Sequence, residues 1–257
     1  MGTLTPLHMA TAAGAAFIAG AINSVAGGGT LISFPTLMWL GLPSIVANAT
    51  NTVAIWPGSL GSLWGFRREF GRTDPVMRAF VVPSLLGGAC GALLLRWTPS
   101  ATFDRIVPFL ILFATILFTA QGPIQRRLRA PHPAHRTMSW LAAGMLFQFL
   151  VGVYGGYFGA GMGIMMLSAL SILGMKDILE MNALTSLFAL CINGIAAVLF
   201  IWTKMVAWPY VLAMMGAAVI GGYGAAGVAR RIGRAAVRRF VIAVGFTIAT
   251  VLLIRAF

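Results

Sequence analysis

The sequence predicts an all-α, polytopic membrane protein with about 8 to 10 transmembrane segments, built as two homologous repeats with broken helices. The first observation is composition: 59% of the 257 residues are apolar and 9% are charged, whereas soluble domains carry about 25% charged residues. The second is a series of apolar stretches along the chain. The third is a glycine-rich motif that interrupts these stretches once in each half.

The apolar segments follow one another with short polar connections. A crossing helix needs about 20 apolar residues, and most segments reach that length, but the second and seventh are about 14 residues long and would span about 21 Å. Both short segments directly follow glycines, so we expect half-helices that begin inside the membrane. The segments are roughly 8–26, 30–43, 45–66, 76–96, 105–121, 138–158, 161–174, 179–202, 207–228 and 239–256.

The glycine motifs predict helix breaks. Gly27, Gly28 and Gly29 are consecutive, and the stretch Gly159-Ala-Gly-Met-Gly163 repeats the feature in the second half. Each glycine weakens a helix by roughly 1 kcal/mol relative to alanine. A break in the bilayer is tolerated only where protein or a watery cavity satisfies the freed backbone groups. Two breaks at corresponding places are the best sequence indication of a transporter's binding site.

The two halves align through these motifs, and Asn48 and Asn51 then correspond to Asn182 and Thr185. We predict a first transmembrane repeat over 1–121, a basic linker over 122–137 and a second repeat over 138–257. Each half holds an odd number of segments, so the repeats are inverted if every segment crosses. If the two short segments are re-entrant, the repeats are parallel instead.

The net charge of +13 comes from arginines concentrated in loops at 67–78, 122–137 and 229–239. Positive-inside topology accounts for this distribution better than nucleic-acid binding does. We therefore predict a multi-pass protein of the cell inner membrane with these basic loops in the cytoplasm. The loop at 97–104 and the surroundings of Lys204 would then face outward, as would both termini.

A helix that starts at a break exposes unpaired amides and the positive end of its dipole, which together form an anion site without charged side chains. No acidic or basic residue lies near the middle of a segment, which disfavours a relay of buried carboxylates. We expect the amides of both breaks and nearby polar side chains to bind an anion. The candidate substrate-binding residues are Asn23, Ser24, Gly27, Gly28, Gly29, Thr30, Ser33, Asn51, Thr52, Tyr157, Gly161, Gly163, Asn182, Thr185 and Ser186.

Some of these features have simpler interpretations. Gly87, Gly88, Gly91 and the pair Gly221-Gly222 are typical of close helix packing in membranes. Serine and threonine hydroxyls often bond back to their own helix, so each hydroxyl among the candidates has that alternative. Trp56 is notable because it lies in the middle of its segment, whereas the other tryptophans lie near segment ends, as in an interfacial belt.

The run GAINSVAGGGTLISFP at 20–35, followed by ANATNT at 47–52, resembles the first repeat of the TauE/SafE sulfite-exporter family. The stretch 159–174 with 182–186 resembles its second repeat, and the likeness covers nearly the whole chain. The resemblance implies a bacterial inner-membrane permease for sulfite, sulfoacetate or related sulfur-containing anions. The second copy has Met162 where the first has a glycine and lacks a counterpart of Pro35. The two halves therefore need not contribute equally.

Together these observations predict an exporter of small anions that works by alternating access and does not catalyse a reaction. The alternative is a passive anion channel, and a structural subunit of a larger complex stays open. An intramembrane enzyme is disfavoured, because the sequence has no H-E-x-x-H motif and no carboxylate pair in mid-membrane. We predict no catalytic residue, no metal and no cofactor. The expected partners are the anion, the lipid bilayer and possible second copies in a homodimer, and no nucleic acid.

Overall fold

The computed structural model describes residues 5–25, 28–65, 73–128, 138–175, 177–224 and 234–256, without the side chains of 24, 25, 61–65, 121–128, 178, 223, 224, 234, 235, 255 and 256. Its described residues form helices without a strand. The helices are α1 (Pro6–Val25), α2 (Thr30–Trp39), α3 (Ser44–Gly65), α4 (Pro75–Arg78), α5 (Val81–Trp97), α6 (Ser100–Leu128), α7 (Met138–Tyr157), α8 (Met162–Ile172), α9 (Ile178–Trp202), α10 (Trp208–Gly224) and α11 (Arg234–Ala256).

The helices follow the predicted segments, but α6 begins at Ser100 and α11 begins at Arg234, inside the predicted loops 97–104 and 229–239. Two further differences concern the segment 76–96 and the end of α6. The predicted segment 76–96 is divided between α4 and α5, and α4 begins where the Asp74 carboxylate accepts the amide proton of Val76. Helix α6 continues to Leu128, past the predicted segment end at 121 and into the predicted linker. An apolar segment marks only the part of a helix inside the bilayer, and a helix can continue into the polar region beyond it. The division into 1–121, 122–137 and 138–257 stays a prediction.

Five described helical stretches are long and apolar enough to cross a membrane: Pro75–Trp97 (α4 and α5 together), Ser100–Ala120, Met138–Tyr157, Leu179–Trp202 and Ala236–Ile254. Their surfaces carry many exposed large apolar side chains, among them Leu86, Leu146, Leu150 and Ile254. Such a surface is stable in hydrocarbon and would be a liability in water. The predicted fold class, an all-α polytopic membrane protein, is confirmed.

The two short segments are half-helices with matching ends. Gly28 precedes α2 with φ +87°, and Gly161 precedes α8 with φ +80°. After the helices, Gly41 (φ +88°) and Gly174 (φ +89°) terminate them. At both ends the residue after the glycine donates its amide to the carbonyl five positions earlier, from Leu42 to Leu37 and from Met175 to Leu170. This is the Schellman arrangement that left-handed glycines favour.

Glycines bring two pairs of helices into close contact. On α1 and α10, a methyl group at Gly20 would overlap the backbone of Ala218, and one at Gly221 would overlap Phe17. On α5 and α7, a methyl at Gly91 would overlap the Val153 carbonyl. The prediction that Gly87, Gly88, Gly91, Gly221 and Gly222 serve packing is confirmed, because each faces the backbone or a side chain of a neighbouring helix.

These packing partners are exchanged between the two halves of the chain. The first helix of the first half, α1, packs most extensively against α10 of the second half, while the first helix of the second half, α7, packs against α5 of the first. Helices α3 and α9 occupy corresponding places and contact each other directly. At that contact the Trp56 indole N–H donates to the Leu190 carbonyl at 3.1 Å. Trp56 is therefore a packing residue between the halves, which explains its position in mid-segment.

Candidate functional site

The two helix breaks lie close to each other. The ring of Phe34, on α2, meets the ring of Phe158, in the second break, edge to face with centroids 5.4 Å apart. Both breaks also face one short stretch of α6. A methyl at Gly28 would overlap the Phe118 ring, and one at Gly161 would lie 3.5 Å from Leu117. The two breaks therefore lie beside the same stretch of α6.

At the first break, the amide of Gly29 is not available to a ligand, contrary to expectation. The Asn23 carboxamide oxygen accepts that N–H at 2.8 Å, so Asn23 caps α2 from the last turns of α1. The Ser33 hydroxyl donates to the Gly29 carbonyl at 3.2 Å, which is the bond back to its own helix that serines commonly make. The amides of Gly28 and Thr30 donate to no described residue.

At the second break, two glycines with positive φ flank Ala160: Gly159 at +82° and Gly161 at +80°. The Tyr154 hydroxyl donates to the Ala160 carbonyl at 2.6 Å, and this bond anchors the segment between the two helices. The amide of Met162 donates to the Gly159 carbonyl at 3.4 Å. This amide was expected to be available to a ligand, and that expectation is wrong. The amides of Ala160, Gly161 and Gly163 donate to no described residue.

Helix α9 brings a hydroxyl to this second break. A methyl built on Gly163 would lie 3.7 Å from the Thr185 methyl group, so Thr185 is next to the start of α8. The Thr185 hydroxyl oxygen is buried and has no hydrogen-bond partner. This is unusual here, because Thr36, Thr115, Thr203 and others donate to the carbonyl four residues earlier.

The polar residues of α3 differ from Thr185 in their bonding. Thr52 donates to the Asn48 carbonyl at 3.0 Å. Asn48 and Asn51 are 1% and 2% exposed, and the carboxamide oxygen of each is buried without a partner. The Asn48 amide group donates to the carbonyl of Tyr157, the last residue of α7, at 2.9 Å. Helix α3 thus donates a hydrogen bond to the end of α7 and keeps two carboxamide oxygens without a donor.

Other predicted residues are not joined to the breaks by a described contact. The Tyr157 hydroxyl lies 3.4 Å from the Thr98 hydroxyl, and its ring packs against Phe103, so the side chain points toward the end of α5. Asn182 and Ser186 are half-buried on α9 and bond to no described residue. Ser24 belongs to α1, but its side chain lies outside the described residues, as does all of Gly27.

Two of the residues that fix the shape of the breaks, Tyr154 and Phe118, are not predicted from the sequence, whereas Asn48 is noted there as the counterpart of Asn182. Tyr154 anchors the second break, Phe118 fills the space that Gly28 leaves, and Asn48 joins α3 to α7. Tyr154 and Phe118 look like ordinary apolar positions of a membrane helix, and no pattern distinguishes them. Asn48 does carry a signal, because a carboxamide within an apolar segment needs a partner inside the protein.

The electrostatic character of the described interior is neutral. Its buried polar side chains are serines, threonines, asparagines and one glutamine, without any Asp, Glu, Lys or Arg. A described surface cavity of about 190 Å³ lies between residues of α6, α7 and α8, and its lining includes Phe113, Leu150 and Tyr154, the residue that anchors the second break. Any charge held at the breaks would therefore be stabilised by amides, hydroxyls and helix dipoles.

Half-helices that meet at paired breaks in a neutral interior are typical of secondary transporters. The family model of the sulfite exporter TauE/SafE matches residues 12–252. The chain belongs to the TauE/SafE family. Relatives of this TauE/SafE chain include a probable membrane transporter protein of Haemophilus influenzae, 29% identical over 90% of this chain and 88% of the relative.

Two further relatives have similar names. The probable membrane transporter protein YfcA of Escherichia coli K12 is 28% identical over 62% of this chain and 58% of its own length. The probable membrane transporter protein ORF9 of a Sinorhizobium species is 28% identical over 78% of this chain and 75% of its own length. No solved structure matches this TauE/SafE protein. The resemblance predicted from the glycine motifs is confirmed, and the relatives support a multi-pass membrane transporter.

Proposed function

We propose that this protein is a carrier for small anions of the sulfite and organosulfonate class, and that the anion binds at the second break. The observation that carries the proposal is the group of donors there. The amides of Ala160, Gly161 and Gly163 donate to no described residue, and the neighbouring Thr185 hydroxyl is buried without a partner. Several unpartnered donors near one helix start fit an oxyanion with several acceptor oxygens.

The transport mechanism follows from the arrangement of the halves. We propose that they are inverted repeats, which the exchanged packing of α1 and α7 and the matched ends of α2 and α8 support. Rocking of one half against the other would expose the breaks to each side in turn. We expect the basic loops to lie on the cytoplasmic side of the inner membrane. Expelling an anion from the negatively charged cell interior then releases about 2.3 kcal/mol per charge per 100 mV of membrane potential.

The proposal is tested in proteoliposomes with sulfite, sulfoacetate and sulfate, and with choline as a cation control. We expect saturable flux of sulfite or sulfoacetate that is stimulated by the same anion on the opposite side. Flux that does not saturate and shows no counter-transport would indicate the passive channel instead. Choline transport without anion transport would overturn the proposed substrate class. The mass of the purified protein in detergent tests the predicted homodimer.

A matched pair of variants connects transport to the second break. Gly163→Leu places a side chain in front of the free amides and next to Thr185, at a helical position where a Cβ has ordinary contacts. Gly216→Leu makes the same change on α10, where a Cβ meets nothing within 4 Å. We expect Gly163→Leu to abolish anion flux and Gly216→Leu to preserve it. Normal flux in Gly163→Leu would remove the second break from the binding site.

A further inference from the structure

Asparagines 48 and 51 on α3 form an acceptor pair with no donor. Their side chains are 1% and 2% exposed, and both carboxamide oxygens are buried without a hydrogen-bond partner. The residues are three positions apart, so they lie on one face of α3 with neighbouring Cβ atoms. A buried acceptor that is left without a donor destabilises the folded state. Two such acceptors on one face indicate that a ligand with positive charge or donor groups belongs there.

The orientation of Asn48 is fixed by its bond to α7. Its side-chain nitrogen donates to the Tyr157 carbonyl at 2.9 Å, and only the nitrogen can do so because a carbonyl does not donate. The Asn48 carboxamide oxygen is on the opposite side of the carboxamide group from this bond, and it is the atom left for a ligand. The contact also places Asn48 at the C-terminal end of α7, where the helix dipole is negative, and Asn51 follows one turn later on the same face of α3.

We propose that Asn48 and Asn51 bind a monovalent alkali cation, Na⁺ or K⁺, at the end of α7. Neutral oxygens beside a helix C-terminus are ligands that such ions accept in transporters with broken helices. Among the described residues no group of three His, Cys, Asp or Glu side chains could hold a metal ion, and Ca²⁺ and Mg²⁺ favour carboxylate oxygens. Those facts favour an alkali ion over a divalent one.

The cation site complements the anion site. A break bares the C-terminal end of one helix and the N-terminal end of the next, and the two ends have opposite partial charges. In the second break, α7 ends at Tyr157 and α8 begins at Met162. The cation would lie at the first end and the anion at the second. This inference extends the proposed function by naming a coupling ion, and it is tested without any anion substrate.

The test measures the melting temperature of the purified protein while NaCl or KCl replaces choline chloride at constant ionic strength. Specific binding raises the melting temperature in a saturable way, and the half-maximal concentration gives the apparent affinity. A water molecule that donates to both oxygens is the competing occupant. If water occupies the site, the melting temperatures in NaCl, KCl and choline chloride should be equal, and that result would overturn the proposal.

Two substitutions at one position identify the ligand. Asn51→Ala removes one oxygen and should weaken the apparent affinity for the bound ion about tenfold or more. Asn51→Asp supplies a carboxylate of nearly the same shape and should strengthen the affinity. A control, Thr247→Val, changes an exposed residue of α11 that bonds back to Ala243 and should leave the affinity unchanged. If Asn51→Ala does not fold, Asn51→Asp alone tests the proposal. An affinity of Asn51→Asp for Na⁺ or K⁺ that is equal to or weaker than that of the wild type would overturn it.

The outcomes separate this inference from the proposed carrier function. Anion flux that is lost in Gly163→Leu, together with no cation-dependent stabilisation, would leave the carrier in place and reject the cation site. Cation-dependent stabilisation that Asn51→Ala weakens would support the cation site even if no sulfur anion is transported.

Discussion

The first and second breaks have the same sequence motif and the same helix ends, yet they use their amides differently. At the first break, the Asn23 side chain caps the Gly29 amide and the Phe118 ring lies against Gly28. At the second break, Tyr154 holds a carbonyl, and the amides of Ala160, Gly161 and Gly163 are left without a described acceptor. A repeated motif therefore need not mean repeated function. The amides of Gly28 and Thr30 at the first break also lack a described acceptor, so the difference lies in the Asn23 cap and the Phe118 ring at the first break and in the unpartnered Thr185 hydroxyl at the second.

The largest expected effect distinguishes the two glycines that precede the half-helices. Alanine at either Gly28 or Gly161 must adopt a left-handed conformation, which costs about 1 to 2 kcal/mol. At Gly28 the methyl group also overlaps the Phe118 ring, and overpacking adds about 1 to 3 kcal/mol. Gly28→Ala should therefore lower the free energy of unfolding, measured by denaturant titration in detergent, clearly more than Gly161→Ala does.

A second substitution checks the cause of that difference. Phe118→Leu shortens the side chain that meets Gly28, so combining it with Gly28→Ala should recover the overpacking part of the loss, relative to Phe118→Leu alone. If the two glycine variants are equally unstable, the first break is not the more closely packed one and the comparison fails.

The C-terminal ends of the two half-helices should be destabilised equally by substitution, because both end at a glycine with nearly the same positive φ. Gly41 and Gly174 both terminate half-helices with positive φ. Alanine at each position should lower the free energy of unfolding by about 1 to 2 kcal/mol through left-handed strain, by nearly equal amounts. A clear inequality in the same denaturant titration would show that the half-helices differ over their whole length and not only at their starts.

The hydroxyls beside the breaks give the third prediction. Thr185→Val removes a buried hydroxyl that has no partner in the protein, whereas Thr52→Val removes one already donated to the Asn48 carbonyl. If Thr185 donates to the anion, its loss should raise the half-saturation concentration for transport about tenfold. Thr52→Val should change that concentration little. Equal changes in both variants would contradict the assignment of binding to the second break.

The smallest effects concern the side chains that anchor each break. Asn23→Ala and Tyr154→Phe each remove one hydrogen bond and should each lower the free energy of unfolding by about 1 kcal/mol. Their effects on transport should differ. Tyr154→Phe loosens the segment that presents the free amides and should raise the half-saturation concentration, while Asn23→Ala should not. A transport defect in Asn23→Ala alone would reverse the roles of the breaks.

The breaks themselves were predictable from sequence. Runs such as Gly27 to Gly29 are poor helix formers, and in a membrane segment they leave few alternatives to a break. Gly41 and Gly174 mark the helix ends for a similar reason, because glycine readily adopts the left-handed conformation. The length of an apolar stretch also predicted which helices are short.

The bonding within the site was not predictable in the same way. Whether the Gly29 amide is free depends on Asn23, and whether Thr185 donates back to its helix depends on local geometry that the sequence does not display. The contact of Phe118 with Gly28 and that of Asn48 with Tyr157 join residues far apart in the chain. Such contacts depend on the packing of helices in space and not on any pattern within one helix.

The most direct test of anion binding at the second break compares two aligned positions at the half-helix starts, Thr30 and Gly163. Equilibrium binding of radiolabelled sulfoacetate, with sulfite as competitor, is measured for Thr30→Leu and Gly163→Leu. We predict that Gly163→Leu weakens binding about tenfold or more, because its side chain covers free amides, and that Thr30→Leu has a much smaller effect. Wild-type affinity in Gly163→Leu, or an equal loss in both variants, would contradict the account.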